Sequence, residues 1–426
     1  MNTEIDFSKL YLIKIDFSKL YLIQKKDLVW GLFMCGIFIS FYASLYPWFL
    51  WPISTVFMIL ASMFIVPAII LDRTLEKPIF TRGDYIIPTL CYFVLAYYIA
   101  FTNANSLNAY ISSIFNTIIF YSLFKISPEA LKRISNILAK SMGIILVPSI
   151  LFFFLYLLGF PLPSRDMQFG DNFYSFTNYY FFLLDDRQLF AFIPRFQSIF
   201  LEPTYLGSTA AILLMTQRGK WKKWYNVTMI FSILISFSLA GYVYLTVIIF
   251  LNLWTKGKKI FKNAIIAVSI IVLFTIGSFF YNNGDNMVHD LIMLRLEIED
   301  GELAGDNRVT DTFNADFENF LSSSDIIFGR DFDNEFGNSG FKVIIYDLGI
   351  VGLLLYVMLY FTAIYKAPNI RSTLSTAIVA LLIFIVDGFV LWFGRFIPLY
   401  CVAYDTGEEL ENGDIQEDSR QEKEIT

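Results

Sequence analysis

Residues that commonly build metal and redox centres are scarce in this chain. His289 is its only histidine, which excludes a histidine metal cage or an extended histidine proton relay. Cys35, Cys91 and Cys401 all lie in apolar runs without metal-ligand spacing, so we interpret them as small core residues. The sequence has no P-loop, no dinucleotide fingerprint and no soluble nucleotide-binding domain. We therefore expect no metal, no cofactor and no nucleic-acid partner.

Charged residues are also few, at 16% of the chain, whereas 56% of the residues are hydrophobic and 18% are aromatic. The mean hydropathy is +0.57. A soluble globular protein cannot hide this much apolar surface, so the composition predicts an all-α, polytopic protein of the lipid bilayer. A cleavable signal peptide is not expected, because the first long apolar run, from Leu28, lacks a small-residue cleavage site and precedes many more runs.

Long apolar runs are abundant. A membrane-spanning helix needs about 20 mostly apolar residues. The candidate spans are 28–46, 49–71, 84–101, 107–124, 141–160, 196–217, 224–239, 241–254, 262–281, 341–365 and 372–404. The last is either one long span or two short ones hinged near Asp387-Gly388, so the prediction is eleven or twelve spans.

Lysine and arginine cluster before the first span and after every second span from there on. The positive-inside rule therefore places the amino terminus inside, in the cytoplasm. The acidic tail reads as disordered, and it lies inside if there are twelve spans. The predicted segments are a cytoplasmic amino-terminal segment with a tandem repeat (1–27), spans (28–160), an outer loop (161–195), spans (196–281), a large outer loop (282–340), spans (341–404) and a tail (405–426).

The segment from Arg195 to Gly207 carries charge into an apolar run. An intramembrane glutamate such as Glu202 is costly and indicates a functional site. If the segment is helical, one face combines Arg195, Ser198, Glu202, Tyr205 and Thr209. Alternatively, a new helix starts at Pro203, and its amino terminus points outward and favours an anion. A Glu–Arg pair that only braces two helices is the structural alternative.

The large outer loop supplies further candidates. Phe313, Phe317, Phe320 and Leu321 recur at helical spacing and predict an amphipathic helix over 307–321. A second short helix is expected from Met287 to Glu299. Arg308 is either a second anion clamp or a solvated side chain beside a helix cap at Asp306 or Asn307.

The predicted outer face limits the available chemistry. Nucleotide sugars and ATP are cytoplasmic, so a site outside must use a donor that is already activated and translocated. A lipid-linked diphosphate sugar fits, since guanidinium groups suit a diphosphate leaving group. Aromatic side chains of 161–195 suit sugar rings, and a carboxylate suits the proton of an acceptor hydroxyl.

Four motifs in this order resemble the O-antigen polymerase family, within the wider superfamily of O-antigen polymerases and ligases. They are R-x-x-S-x-F-x-E-P-x-x-x-G at 195–207, S-x-S-x-x-G at 236–241, G-D-N-R at 305–308 and N-S-G-F…D-L-G-I-V-G at 338–352. The resemblance runs from about Phe160 to Gly352 and implies a GT-C-like, metal-independent glycosyltransferase. Such an enzyme joins oligosaccharide repeat units carried on undecaprenyl diphosphate at the periplasmic face of the bacterial inner membrane. The resemblance also suggests a chain-length regulator as a partner.

The same resemblance implies that Arg195 and Arg308 bind diphosphate, while Glu202 positions them or acts on the acceptor. These three residues are the predicted catalytic residues. The residues predicted to bind substrate are Arg165, Arg187, Ser198, Arg330 and Asn338. The general base stays unassigned, with Asp311, Asp331 and Glu335 as open candidates.

Two other functions compete with the polymerase. Ligases usually carry a histidine before the tenth span, where this chain has Asn338, which argues against a ligase. A flippase for the same lipid-linked sugar should show repeated halves and charge spread over many spans, and the sequence shows neither.

Overall fold

The structure is a computed structural model and consists mostly of helices. It describes residues 25–51, 54–71, 81–104, 106–169, 174–188, 193–255, 276–277, 280, 298–299, 302–303, 310–330, 340–388 and 391–405. The helices of these residues are α1 (Lys25–Ala43), α2 (Ser54–Leu71), α3 (Arg82–Ile99), α4 (Leu107–Lys125), α5 (Pro128–Leu157), α6 (Pro203–Thr216), α7 (Trp224–Ile235), α8 (Leu239–Thr255), α9 (Asp311–Leu321), α10 (Phe341–Ile364), α11 (Ile370–Val386) and α12 (Phe393–Ala403).

Four of these helical stretches are long and apolar enough to cross a membrane: Arg82–Thr102, Leu107–Lys125, Pro128–Leu157 and Phe341–Ile364. Six further apolar helical stretches among the described residues are 10–17 residues long, of which Asp27–Ala43 lies in α1 and Val56–Leu71 in α2. This architecture agrees with an all-α membrane protein. The number of spans stays a prediction, and the predicted span 262–281 lies almost entirely outside the described residues.

Most helix boundaries follow the apolar runs. Two exceptions concern α5 and the last predicted span, and a third, in the predicted span 196–217, belongs to the candidate site. Helix α5 starts well before the predicted residue 141, because Pro128 occupies its first turn and the Ser127 hydroxyl accepts from the Ala130 amide at 3.3 Å. The predicted span 372–404 is two helices, α11 and α12. Helix α11 ends just before Asp387 and Gly388. The φ of Gly388 is 76°, a value that is readily adopted only by glycine.

Polar contacts between helix ends identify the two ends of the helical bundle. Arg218 contacts Asp405 at 2.5 Å, and Lys366 contacts Asp84 at 2.6 Å. We call this the inner end, because the sequence assigns these residues to the inside. At the opposite, outer end, the Gly394 amide donates to the Ser44 hydroxyl at 2.7 Å. Residue 405 therefore lies at the end where the sequence places the cytoplasm.

Two small sheets interrupt the helical architecture. Strands β1 (Arg165–Phe169), β2 (Tyr174–Asn178) and β3 (Leu183–Asp185) form an antiparallel sheet in that order. Strand β4 (Ile298–Glu299) pairs with β5 (Glu302–Leu303), so the helix predicted for 287–299 is wrong at its carboxyl end. The rest of that predicted helix lies outside the described residues.

Helix α9 confirms the amphipathic helix predicted in the large outer loop. Phe313, Phe317 and Phe320 are buried and pack against α10, whereas Leu321 is 47% exposed and does not belong to this face. The helix begins later than predicted because Thr310 is its cap, with its hydroxyl accepting from the Phe313 amide at 3.3 Å. The predicted caps Asp306 and Asn307 lie outside the described residues.

The segment that follows α9, residues 327–329, packs against a kink in α10. Gly349 has a φ of 56° inside the helix, and its Cα faces the Gly329 amide and the Ile327 carbonyl so closely that a Cβ would collide with both. The Tyr98 hydroxyl of α3 contacts the Phe328 and Leu348 carbonyls. These contacts fix α9 to the outer end of the bundle.

Candidate functional site

The segment 195–202 is not helical, which corrects the predicted span 196–217. Its backbone is held by partners from three directions: the Leu183 amide donates to the Ser198 carbonyl at 2.8 Å, the Trp48 amide to the Ile199 carbonyl at 3.0 Å, and the Phe196 amide to the Ile235 carbonyl at 3.2 Å. Ser198 has a φ of 56° and is fully buried. The common helical face predicted for this segment is therefore wrong, since only the part from Pro203 onward is helical.

Helix α6 begins at Pro203, and Glu202 is its cap residue with extended φ and ψ of −140° and 150°. The predicted alternative of a new helix at this proline is confirmed. The Glu202 carbonyl accepts the first helical bond, from the Tyr205 amide at 3.1 Å, while its side chain makes no capping hydrogen bond. That carboxylate instead accepts a hydrogen bond from the Tyr174 hydroxyl of β2. The glutamate is thus displayed at the amino terminus of α6, where the helix dipole favours negative charge.

Tyr174 is well placed to remain a donor. Its pKa lies above the ordinary value, chiefly because the phenol is buried and also because the Glu202 charge opposes its ionisation. The Arg187 guanidinium lies 5.8 Å from the centroid of its ring. Asp185 binds the Arg187 Nε through both carboxylate oxygens, at 2.8 and 3.1 Å, and this raises the pKa of Arg187. Tyr174 of β2 therefore contacts both predicted residues, Glu202 through its hydroxyl and Arg187 through its ring.

An aromatic cluster at the outer end lies next to Glu202, through its members Tyr174 and Tyr205. Its rings are Tyr46, Trp48, Trp51, Phe169, Tyr174, Phe176, Tyr205 and Trp392. Trp392 lies 5.3 Å from Tyr46 and 5.4 Å from Tyr205, and Trp51 lies 5.0 Å from Phe169, as ring centroids. Tyr46 and Trp392 are only half-buried. Half-exposed aromatic rings around a carboxylate suit the binding of sugar rings, which offer both apolar faces and hydroxyl groups.

A buried ion pair lies below this aromatic cluster, and only one of its two residues, Asp387, was singled out in the sequence. Arg395, in the first turn of α12, is fully buried and contacts Asp387 at 3.4 Å and the Thr209 hydroxyl of α6. Thr209 is seven residues after Glu202, which is about 10 Å along the helix axis. Asp387 was predicted only as a hinge, and Arg395 was missed. The signal that would have identified Arg395 is its charge within an apolar run.

Two other predicted arginines, Arg195 and Arg165, lie close to aromatic side chains near the outer end. Arg195 is half-buried and lies within electrostatic range of Tyr242, in the first turn of α8. Arg165, at the start of β1, lies 5.1 Å from the Trp48 ring centroid. Helix α8 itself packs closely on α6, since a Cβ on Gly207 would lie 3.0 Å from the Gly241 Cα.

Arg330 lies in a separate network on α9 and α10. It contacts Asp325 at 2.5 Å and Asp316 at 3.5 Å, and its guanidinium lies 5.7 Å from the Phe320 ring centroid. Its partners in the described part of the chain belong to this network and not to the aromatic cluster. The geometry thus shows a brace for α9, and the predicted substrate contact of Arg330 stays a prediction.

The predicted residues Arg308 and Asn338 lie outside the described residues, as do the candidate bases Asp331 and Glu335. Asp311 is described and is exposed at the start of α9. Their predicted roles therefore stay predictions.

Comparison with known proteins identified no relative of this chain. No family model matches the chain, and no curated protein or solved structure matches it either. The fold and site define a mostly helical protein with apolar helices of membrane-spanning length. Its most distinctive polar centre is Glu202, held by Tyr174 at the start of α6.

Proposed function

We propose that this protein is a polysaccharide polymerase of the bacterial inner membrane. It would join oligosaccharide repeat units carried on undecaprenyl diphosphate, and it would do so at the periplasmic face. The observation that carries the proposal is the Glu202 carboxylate, displayed at a helix amino terminus, bonded to Tyr174 and next to an aromatic cluster with half-exposed rings. The motifs that resemble the O-antigen polymerase family include this same glutamate.

The proposed reaction transfers a glycan from one lipid carrier to another. A hydroxyl oxygen of the acceptor unit attacks the anomeric carbon of the donor glycan and forms the new glycosidic bond. The bond from that carbon to the diphosphate oxygen breaks, and undecaprenyl diphosphate leaves with the electron pair. The acceptor proton passes to a base, and Glu202 either takes this proton or orients the hydroxyl that loses it.

Arginine side chains supply the charge complementary to the leaving group. Arg195 and Arg308 are the proposed diphosphate ligands, because planar guanidinium groups bind phosphate oxygens in pairs. Arg187 is 70% exposed despite its bonds to Asp185, so its outer edge can still approach an anion. The proposed mechanism requires no metal ion.

The test is the length distribution of the polysaccharide in cells that carry variants. Glu202→Gln and Arg195→Ala are expected to reach the membrane but to abolish long chains, leaving single repeat units on the lipopolysaccharide. The matched controls Glu318→Gln and Arg371→Ala alter exposed residues away from the aromatic cluster and should give normal ladders. Normal ladders from both site variants would refute the proposal. Loss of every capped species, single units included, would favour a flippase or a ligase.

A further inference from the structure

The ion pair between Arg395 and Asp387 is incompletely bonded. In a complete side-on arginine–carboxylate pair, Nε and one Nη each donate a hydrogen bond to one carboxylate oxygen. Here Nε of Arg395 reaches Asp387 Oδ2 at only 3.4 Å. Arg395 Nη2 and Asp387 Oδ1, which would form the second bond, are both buried and have no hydrogen-bond partner in the described part of the chain.

Such a pair is unfavourable unless something else satisfies it. Arg395 is 0% exposed and Asp387 is 3% exposed, so bulk water does not solvate either group. A buried polar atom without a partner costs about 1–3 kcal/mol, and more when the group is charged. Two such atoms on neighbouring side chains can be satisfied together by one ligand group that supplies both missing bonds.

The chemistry of the two atoms identifies the class of ligand. The pair as a whole is neutral, and it offers one N–H donor and one carboxylate acceptor. A phosphate would be attracted by Arg395 but repelled by Asp387, and a cation would meet the opposite conflict. A hydroxyl group accepts from one partner and donates to the other, so it satisfies both.

The surroundings of the pair point to a sugar hydroxyl. Thr209, which accepts from Arg395 Nη1, lies on α6 below Glu202. Trp392 and Tyr205 of the aromatic cluster pack on each other, and Tyr205 lies within electrostatic range of Arg395. A sugar ring against these aromatic faces would direct a hydroxyl toward the pair.

We propose that Arg395 and Asp387 bind one hydroxyl of the glycan substrate and so form the deep part of the sugar-binding site. This inference rests on the proposed function and adds a specificity-determining pair that none of the motifs contains. Neither residue takes part in bond making. Both fix the register of the sugar relative to Glu202.

The test measures binding of the lipid-free repeat-unit oligosaccharide, released by mild acid from the lipid carrier, to the purified full-length protein. Quenching of tryptophan fluorescence reports binding, because Trp392 lies in the aromatic cluster. Asp387→Asn and Arg395→Lys should each weaken binding by about ten- to a hundredfold, as expected when a hydrogen bond to a charged group is lost. The matched control is Asp405→Asn, which alters the arginine–aspartate pair at the inner ends of the same two helices, α6 and α12, and should leave binding unchanged.

A second variant separates binding from folding. Removing one partner of a buried pair is strongly destabilising, whereas replacing both by apolar residues is often neutral or stabilising. Arg395→Met combined with Asp387→Leu should therefore keep the thermal stability of the wild type and still lose oligosaccharide binding. Wild-type affinity in this folded double variant would overturn the inference and reduce the pair to a helix brace. Failure of the wild-type protein itself to bind the oligosaccharide or to polymerise would instead refute the proposed function.

Discussion

Ser198 provides a prediction in which stability and activity change in opposite directions. Its φ of 56° lies in the left-handed region, which costs a residue with a Cβ about 1–2 kcal/mol. Its side chain is 0% exposed, and its hydroxyl has no hydrogen-bond partner among the described residues. Both features destabilise the fold, and both occur within the segment that leads to Glu202. Strain of this kind persists where function requires it.

Two substitutions separate the two contributions. Ser198→Ala removes the unsatisfied hydroxyl but keeps the strained backbone, so it should stabilise the protein by about 1–3 kcal/mol. Ser198→Gly also relieves the strain, and this gain is reduced by the greater chain entropy of glycine, about 0.5–1 kcal/mol. We therefore expect the thermal midpoint to rise from wild type to Ser198→Ala and again, by a smaller step, to Ser198→Gly.

The assay is thermal unfolding of the purified protein in detergent, followed by tryptophan fluorescence, alongside polysaccharide ladders from the same variants. If the Ser198 hydroxyl binds substrate as predicted, both stabilised variants should make shorter chains. A lower midpoint in Ser198→Ala would refute the reasoning, because it would show that the hydroxyl has a stabilising partner. Higher midpoints with normal ladders would remove Ser198 from the site.

Two further predictions follow from the same geometry. Tyr174→Phe removes the hydroxyl that orients Glu202 but keeps the ring, so polymer synthesis should fall about tenfold or more while the protein stays folded; an unchanged elongation rate would show that Glu202 is oriented otherwise. Gly349→Ala forces a Cβ against the Gly329 amide and should lower stability by about 1–3 kcal/mol, measured as a lower thermal midpoint. The matched control Gly31→Ala, where nothing lies within 4 Å of the added Cβ, should lower it little or not at all, and equal losses would contradict the docking of the segment after α9.

The apolar pattern predicts helices well, because burial in lipid or in a bundle selects long apolar runs regardless of their neighbours. The apolar pattern fails where the chain stops being helical while its side chains remain apolar. Residues 196–201 are as apolar as a span, yet their amides and carbonyls bond to Trp48, Leu183 and Ile235. Hydropathy cannot distinguish a buried loop from a buried helix. Pro203 was the one local signal of the boundary.

The site residues that carry a local sequence signal were predictable, and those that depend on packing were not. Glu202 is conspicuous because a proline and a motif surround it, and Arg187 lies in a polar loop. Arg395 is hidden in an apolar run, and its partner Asp387 looked like a hinge. Their meeting with Thr209 depends on the packing of α6 against α12, which no local pattern encodes. The hydrogen bond between Tyr174 and Glu202 likewise joins residues that are 28 positions apart in the sequence.

We propose that Glu202 belongs to a polymerase that uses lipid-diphosphate glycans. The most direct measurement is elongation in vitro, with purified protein and undecaprenyl-diphosphate-linked repeat units, in EDTA and without nucleotides. We expect a ladder of lipid-linked chains from the wild-type protein and from Glu318→Gln. We expect only unextended repeat units from Glu202→Gln at normal folded yield. Absence of any ladder with wild-type protein, or an equal ladder with Glu202→Gln, would contradict the proposal.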